Sequence, residues 1–168
     1  MIALKINSLN HFMHTFLTTD TFDLFLLEEA TIQTYNTFHI DGRQNQNFYT
    51  SEEWNDPSVR PYEFTRWKDI RSLCFDLIKG SRTPAGFKFV LQLIPEHIEG
   101  ILKNEDTLLK ATDVKSLVLT LKYDGTGLTL ITGTSLKTFF PDKSLDQYWD
   151  RAIRRFLSKR NLSFEELA

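Results

Sequence analysis

The stretch from Leu117 to Leu157 constrains the fold more than any other part of the sequence. Leucines alternate with other residues at 117, 119 and 121 and again at 128 and 130, a pattern typical of two half-buried strands. Asp124-Gly125 lies between them and is a strong signal for a tight hairpin. A sheet face of this size must be covered by another apolar surface.

The segment that follows predicts that covering surface. Ser144 begins an amphipathic helix over 144–159, with Gln147 placed to complete a capping box. Seven residues share one face of this helix at helical spacing: Leu145, Tyr148, Trp149, Ala152, Ile153, Phe156 and Leu157. We expect Trp149 and Phe156 to be buried against the sheet.

Helical spacing of apolar residues also predicts helices over 8–17 and 65–79, and a shorter one over 95–103 that begins at Pro95. Gly80 suits the end of the second of these helices. Leu73, Phe75 and Leu77 alternate as well, so residues 72–79 fit either a helix or a strand. The sequence leaves that choice open.

Alternation over residues 30–40, with many β-branched and aromatic side chains, predicts one long strand. Asp41-Gly42 should turn this strand, and residues 47–50 should return beside it. Residues 51–61 have no periodicity and contain two prolines, which predicts a surface loop. Together these elements predict an α+β fold in a single domain, residues 1–168. Its sheet should be mainly antiparallel and curved, and three to four amphipathic helices should pack on it.

Composition narrows the class of protein. The net charge is −2, which gives no overall attraction to nucleic acid or to an anionic membrane. The single cysteine, Cys74, allows no intramolecular disulfide, and its place on an apolar helix face predicts a buried, unreactive thiol. The N-terminus lacks the features of a signal peptide, and no apolar run approaches the roughly 18 residues of a membrane span. We therefore expect a cytoplasmic protein that does not bind membranes.

The sequence contains none of the motifs that mark common catalytic and cofactor sites. Phosphate-binding loops, dinucleotide fingerprints, nucleophile elbows and zinc-protease motifs are all missing. We accordingly expect no cofactor. His11 and His14 are one helical turn apart, but two ligands do not make a metal site, so no metal is expected either.

Two groups of residues remain as candidates. The first is the basic region 66–82, where cations and hydroxyls predict a contact with an anion or with nucleic acid. The side chains expected to make this contact are those of Arg66, Arg71, Lys79, Ser81, Arg82 and Thr83. The competing interpretation is structural, because a lysine beside a helix C-terminus and a following glycine are favourable in any helix. The second group is His39, Asp41 and Arg43, in which a carboxylate could orient an imidazole as a general base. The competing interpretation is a solvated turn, for which Asp41 is simply a favourable residue.

Three stretches carry a resemblance to a known group of proteins. They are residues 34–43, residues 77–84, and residues 132–137 followed by 142–145. In these stretches the chain resembles a family of short, uncharacterised Firmicutes proteins, classed as a domain of unknown function. The resemblance covers nearly the whole chain and implies a bacterial, cytosolic, single-domain protein. It implies no activity, cofactor or catalytic residue.

Two hypotheses about function follow. The favoured one is a non-catalytic binding or regulatory domain, whose partner is an anionic ligand, nucleic acid or another protein. The alternative is a small enzyme that uses His39, Asp41 and Arg43. That alternative requires these residues to line a real cleft with at least one more polar side chain.

Overall fold

The computed structural model describes all 168 residues. Eight strands form one open antiparallel sheet in the order β3–β2–β5–β6–β7–β1–β8, and the short β4 pairs with β2 beyond the end of β3. The strands are β1 (Ala3–Ile6), β2 (Phe25–Gln33), β3 (Thr37–Asp41), β4 (Thr65–Arg66), β5 (Gly86–Leu93), β6 (Val114–Tyr123), β7 (Leu128–Leu136) and β8 (Phe164–Leu167). The helices are α1 (Leu9–Thr18), α2 (Ser51–Trp54), α3 (Trp67–Ile78), α4 (Ile98–Leu102) and α5 (Ser144–Lys159). The α+β class and the antiparallel sheet are confirmed.

The three long helices cover one face of the sheet, and most of the other face is open to solvent, apart from a small second cluster of Leu26, Phe64 and Ile94. Alternate residues of the central strands, such as Phe89 and Leu121, enter a single core with these helices. Phe16 of α1 stacks on Trp67 of α3 with ring centroids 4.2 Å apart, and both rings meet the edge of Phe89. From α5, the Trp149 indole packs edge-on against Phe25. One-sided covering explains the alternation that the sequence shows in most strands.

The predicted limits of α5 are confirmed, although its start differs in detail. Ser144 does not form a capping box; its backbone amide and hydroxyl both donate to the carboxylate of Asp142. Burial varies across the apolar face of α5. Four of its side chains are buried, namely Leu145, Trp149, Ile153 and Leu157. The other three are only partly buried, namely Tyr148, Ala152 and Phe156.

Residues 72–79 belong to a helix, because α3 continues to Ile78 with Lys79 as its cap. Cys74 is fully buried, as expected from its position on the apolar face. Leu73 and Phe75 are exposed, which accounts for the misleading alternation in this segment. The predicted short helix over 95–103 is a single 3₁₀ turn over 95–97 followed by α4.

The long strand predicted over residues 30–40 is wrong. The chain reverses at Thr34–Asn36, and β2 and β3 pair as a hairpin in which Ile32 faces Phe38 and Ala30 faces Ile40. The Thr34 backbone amide donates to the Asn36 carbonyl across this turn. Paired residues differ in number by an even amount, so even-numbered side chains stay on the core face in both strands.

The turn predicted at Asp41-Gly42 is also wrong. Gly42 continues alongside β2, and its backbone amide donates to the carbonyl of Glu28. A β-carbon at Gly42 would lie 1.8 Å from the Leu27 carbonyl oxygen, so the glycine is needed for a close backbone approach. Beyond it, the return strand predicted at 47–50 is wrong: residues 46–48 form a 3₁₀ turn. The segment 51–61 lies on the surface, and its first four residues form the one-turn helix α2.

Candidate functional site

The connection between α3 and β5, residues 79–85, borders a groove at one end of the sheet. The groove has a volume of about 530 Å³, and its other walls are the last turn of α3 and the turn at Thr34–Tyr35. Gly80 has a φ of +141°, a conformation that other residues rarely adopt. This glycine allows the chain to leave the helix sharply and to present the following side chains to solvent.

Four polar side chains of this connection are available on the groove. Arg82 is exposed and makes no ion pair or hydrogen bond within the protein, and the hydroxyls of Ser81 and Thr83 are likewise exposed and unpartnered. The Lys79 ammonium lies 3.1 Å from the Asp76 carboxylate, but both side chains are more than half exposed. An exposed pair of this kind is weak and can reorganise when an anion binds. On the groove wall, the buried hydroxyl oxygen of Thr34 has no hydrogen-bond partner.

Two of the six residues expected in the anion site lie elsewhere. Arg66 precedes α3, and its guanidinium lies over the Tyr62 ring, 5.4 Å from the centroid. Arg71 pairs with Asp23 at 3.1 Å in a half-buried position, where burial raises the pKa of Asp23 although the guanidinium opposes that shift. The 12 residues of α3 separate its two ends by about 18 Å. The structure therefore groups Lys79, Ser81, Arg82 and Thr83, and does not bring Arg66 or Arg71 to them.

The residues of the enzyme hypothesis share one shallow groove of about 470 Å³ on the exposed face of the sheet. His39 and Asp41 lie on the same face of β3, as alternation predicts, and Glu28 and Glu29 line the same groove.

Their contacts, however, do not form a catalytic pair. Asp41 accepts a hydrogen bond from the backbone amide of Arg43 (2.9 Å), and the Arg43 guanidinium pairs with Glu63 (2.6 Å). The His39 ring contacts the Thr31 hydroxyl at 3.3 Å and has no carboxylate partner. The arrangement is that of an edge strand closed by a side-chain turn.

The other potentially reactive side chains have contacts that are typical of structural residues. Burial raises the pKa of the Cys74 thiol to about 12, so the thiol stays neutral at ordinary pH. His11 and His14 lie on the exposed side of α1, where the His14 ring contacts the Thr18 hydroxyl. No group of three or more histidine, cysteine or acidic side chains is arranged to hold a metal ion.

A buried polar contact that the sequence patterns did not predict joins α5 to β7. Asp150 is only 7% exposed and accepts a hydrogen bond from the Thr132 hydroxyl at 2.5 Å, while its other oxygen lies 3.2 Å from the Met1 ammonium group. One helical turn earlier, Asp146 accepts from Thr134. The sequence contains a pattern that could have indicated this contact. Two aspartates four residues apart share one face of a helix, and two threonines two residues apart share one face of a strand, so the two pairs can lie opposite each other.

A comparison with protein families identifies the chain. Residues 15–165 match a family described as a family of unknown function, DUF5721. The chain belongs to the DUF5721 family. The family match confirms the resemblance to a domain of unknown function and carries no information on the source organism, so the expected Firmicutes origin stays a prediction.

Other comparisons add no relative from which a role could be transferred to this DUF5721 protein. No curated protein and no solved structure matches the chain. Among its helices, none combines the length and the apolar character required to cross a bilayer.

Proposed function

We propose that this DUF5721 protein is a non-catalytic binding domain whose α3–β5 connection holds an oxyanion, as free phosphate or sulfate or as a phosphate group of a larger ligand. The observation that carries the proposal is Arg82, an exposed guanidinium without any partner on a groove that also presents two free hydroxyls. Guanidinium groups bind tetrahedral oxyanions through two parallel hydrogen bonds. Ser81 and Thr83 can donate to the remaining oxygens, and Lys79 adds a point charge.

The proposed site should be weak for a single phosphate. Its cations are exposed, so salt screens their attraction within about 8 Å at physiological ionic strength. Arg66 and Arg71 lie too far away to strengthen it. A dissociation constant in the millimolar range, equivalent to about −4 kcal/mol, is the affinity expected for inorganic phosphate.

Thermal stability measured against phosphate concentration tests the proposal. A ligand that binds only the folded state stabilises it by about 1.4 kcal/mol at ten times its dissociation constant. Wild type should gain stability in phosphate beyond its gain in sodium chloride of equal ionic strength, and Arg82→Gln should lose that difference. The matched control is Arg155→Gln, which removes an arginine of α5 that is also exposed. A wild-type gain that chloride reproduces, or an undiminished gain in Arg82→Gln, contradicts the proposal.

The other expected roles have less support. A nucleic-acid contact along all of residues 66–82 would have to span the full length of α3, with Arg71 already paired to Asp23. A catalytic role for His39, Asp41 and Arg43 lacks the contact between imidazole and carboxylate on which it depends, so we do not propose it. We also propose the bacterial cytoplasm as the location, on the basis of the single cysteine and the resemblance described above.

A further inference from the structure

The solvent-exposed face of the sheet carries a row of residues that strand register places side by side. Thr31 of β2 pairs with Lys88 of β5, and Lys88 pairs with Lys122 of β6. The row continues through β7 and β1 to β8, with Thr129, Lys5 and Glu165 in succession. We call Lys5, Lys88 and Lys122 the lysine row.

All three lysines point away from the helices. Their neighbours along each strand are buried in the core: Leu4 and Ile6, Phe87 and Phe89, and Leu121 and Tyr123. Neighbouring strands are about 4.8 Å apart, so three strand steps separate Lys88 from Lys5 and the row extends over about 14 Å. The row therefore crosses the strands as a band of positive charge.

Two carboxylates, Glu29 and Glu165, lie beside this band and compensate its charge only in part. Lys88 has one distant ion pair, with Glu29 at 3.9 Å, and Lys5 and Lys122 have none, although Glu165 lies next to Lys5 in the row. Lys88 and Lys122 face each other directly on adjacent strands, an arrangement of like charges that destabilises a sheet. A bound polyanion would remove that repulsion.

The shape of the face indicates which polyanion fits. None of the grooves described above includes a residue of the lysine row. The groove on this face lies beside the row, along β2 and β3, so the three lysines themselves line no pocket for a particular side chain, and an acidic peptide would have no defined binding position. The phosphodiester backbone carries a charge at every nucleotide regardless of sequence, and lysine binds phosphate as a point charge. The hydroxyl of Thr129 lies between Lys122 and Lys5 in the row as a further donor.

We propose that the lysine row binds the phosphate backbone of nucleic acid without sequence preference. This inference rests on strand register and does not depend on the α3–β5 connection. No aromatic side chain lies in the row, so binding is electrostatic and lacks base stacking.

Salt dependence of oligonucleotide binding gives a quantitative test. The probe is a fluorescein-labelled 20-nucleotide poly-dT, followed by fluorescence anisotropy between 50 and 200 mM sodium chloride. Each phosphate contact on a single strand contributes a slope of about −0.7 in log affinity against log salt. With three contacts, wild-type affinity should fall about 18-fold over this range. Lys88→Gln/Lys122→Gln leaves one contact and should fall only about 3-fold.

Matched controls separate the lysine row from general charge effects. Lys103→Gln/Lys159→Gln removes the same charge from exposed positions outside the sheet and should keep the wild-type slope. Lys88 and Lys122 are like charges that face each other, so replacing both should not lower the stability of the protein. A urea midpoint at least equal to that of wild type shows that the row variant is folded.

Three results overturn the inference: no binding at 50 mM salt, an unchanged slope in the row variant, or equal competition by poly-glutamate at the same charge concentration. The stabilisation by inorganic phosphate that depends on Arg82 and the poly-dT salt slope that depends on Lys88 and Lys122 are separate measurements, so failure at the α3–β5 connection and failure at the lysine row are distinguishable.

Discussion

Replacing Trp149 with Phe tests how α5 is held to the sheet. The Trp149 indole is 2% exposed, packs against Phe25, and donates from its Nε1 to the Val118 carbonyl oxygen at 2.8 Å. Phenylalanine keeps an aromatic ring but removes this donor and part of the buried surface. Loss of the hydrogen bond should cost about 1 kcal/mol, and the smaller ring a further 1–2 kcal/mol or so through lost transfer energy and a residual cavity.

The expected total is a loss of about 2–3 kcal/mol in the free energy of unfolding. For a chain of this length that corresponds to a fall in Tm of roughly 4–12 °C. Urea titration followed by circular dichroism measures the free energy directly, with an unchanged m-value showing that the unfolded state is the same.

Trp54→Phe is the matched control for this substitution. Trp54 is partly exposed on α2, where the Arg60 guanidinium stacks 3.4 Å from its ring centroid, an interaction that a phenylalanine ring can also make. Its cost should stay below about 1 kcal/mol. Equal losses for the two variants, or an unchanged midpoint for Trp149→Phe, would refute the idea that Trp149 anchors α5 to the sheet.

Three further predictions follow from individual residues. Gly42→Ala should prevent stable pairing beside β2, because the added β-carbon collides with the Leu27 carbonyl; loss of the cooperative urea transition measures this, and a wild-type midpoint would contradict it. Hydrogen bonds from the Gly127 amide and from the hydroxyl and amide of Thr126 lower the pKa of Asp124 from 3.8 to about 2. The contribution of the Asp124 carboxylate to folding stability is therefore complete above about pH 4 and is lost as the pH falls toward 2. Tm should therefore fall more steeply over that range in wild type than in Asp124→Asn, and parallel curves would count against this assignment. Cys74 should react with a thiol reagent only as the protein unfolds in urea; rapid labelling of the native protein would show that the thiol is accessible.

Sequence patterns located the elements whose signals are local. The helical period of Leu145 to Leu157 gave the correct limits of α5, and the two alternating leucine runs around Asp124-Gly125 gave the β6–β7 hairpin. Alternation failed over residues 30–40 because the turn at 34–36 keeps even-numbered residues on the core face of both strands. This turn lacks glycine and proline, and its one turn-favouring residue, Asn36, fitted the alternation equally well.

Sequence patterns did not predict the features that depend on contacts between residues far apart in the chain. Gly42 looked like a turn residue, but its role is a close approach to the Leu27 carbonyl, fifteen residues earlier by number. Arg71 looked like part of a basic cluster until the fold paired it with Asp23. The lysine row joins residues 5, 88 and 122, whose adjacency exists only through the register of four strands.

Backbone amide shifts during a phosphate titration test the proposed function most directly. At low salt, the amides of Gly80, Ser81, Arg82 and Thr83 should move progressively and saturate as phosphate is added, because they belong to the connection that holds the anion. The amides around Arg154, whose guanidinium is already paired with Glu166, provide the internal reference for general ionic effects. Shifts in the connection that exceed that reference and saturate support an oxyanion site at the α3–β5 connection. If the chemical shifts of those four amides do not change, or change no more than those of the amides around Arg154, the connection is a helix end and a turn, and the proposed function is wrong.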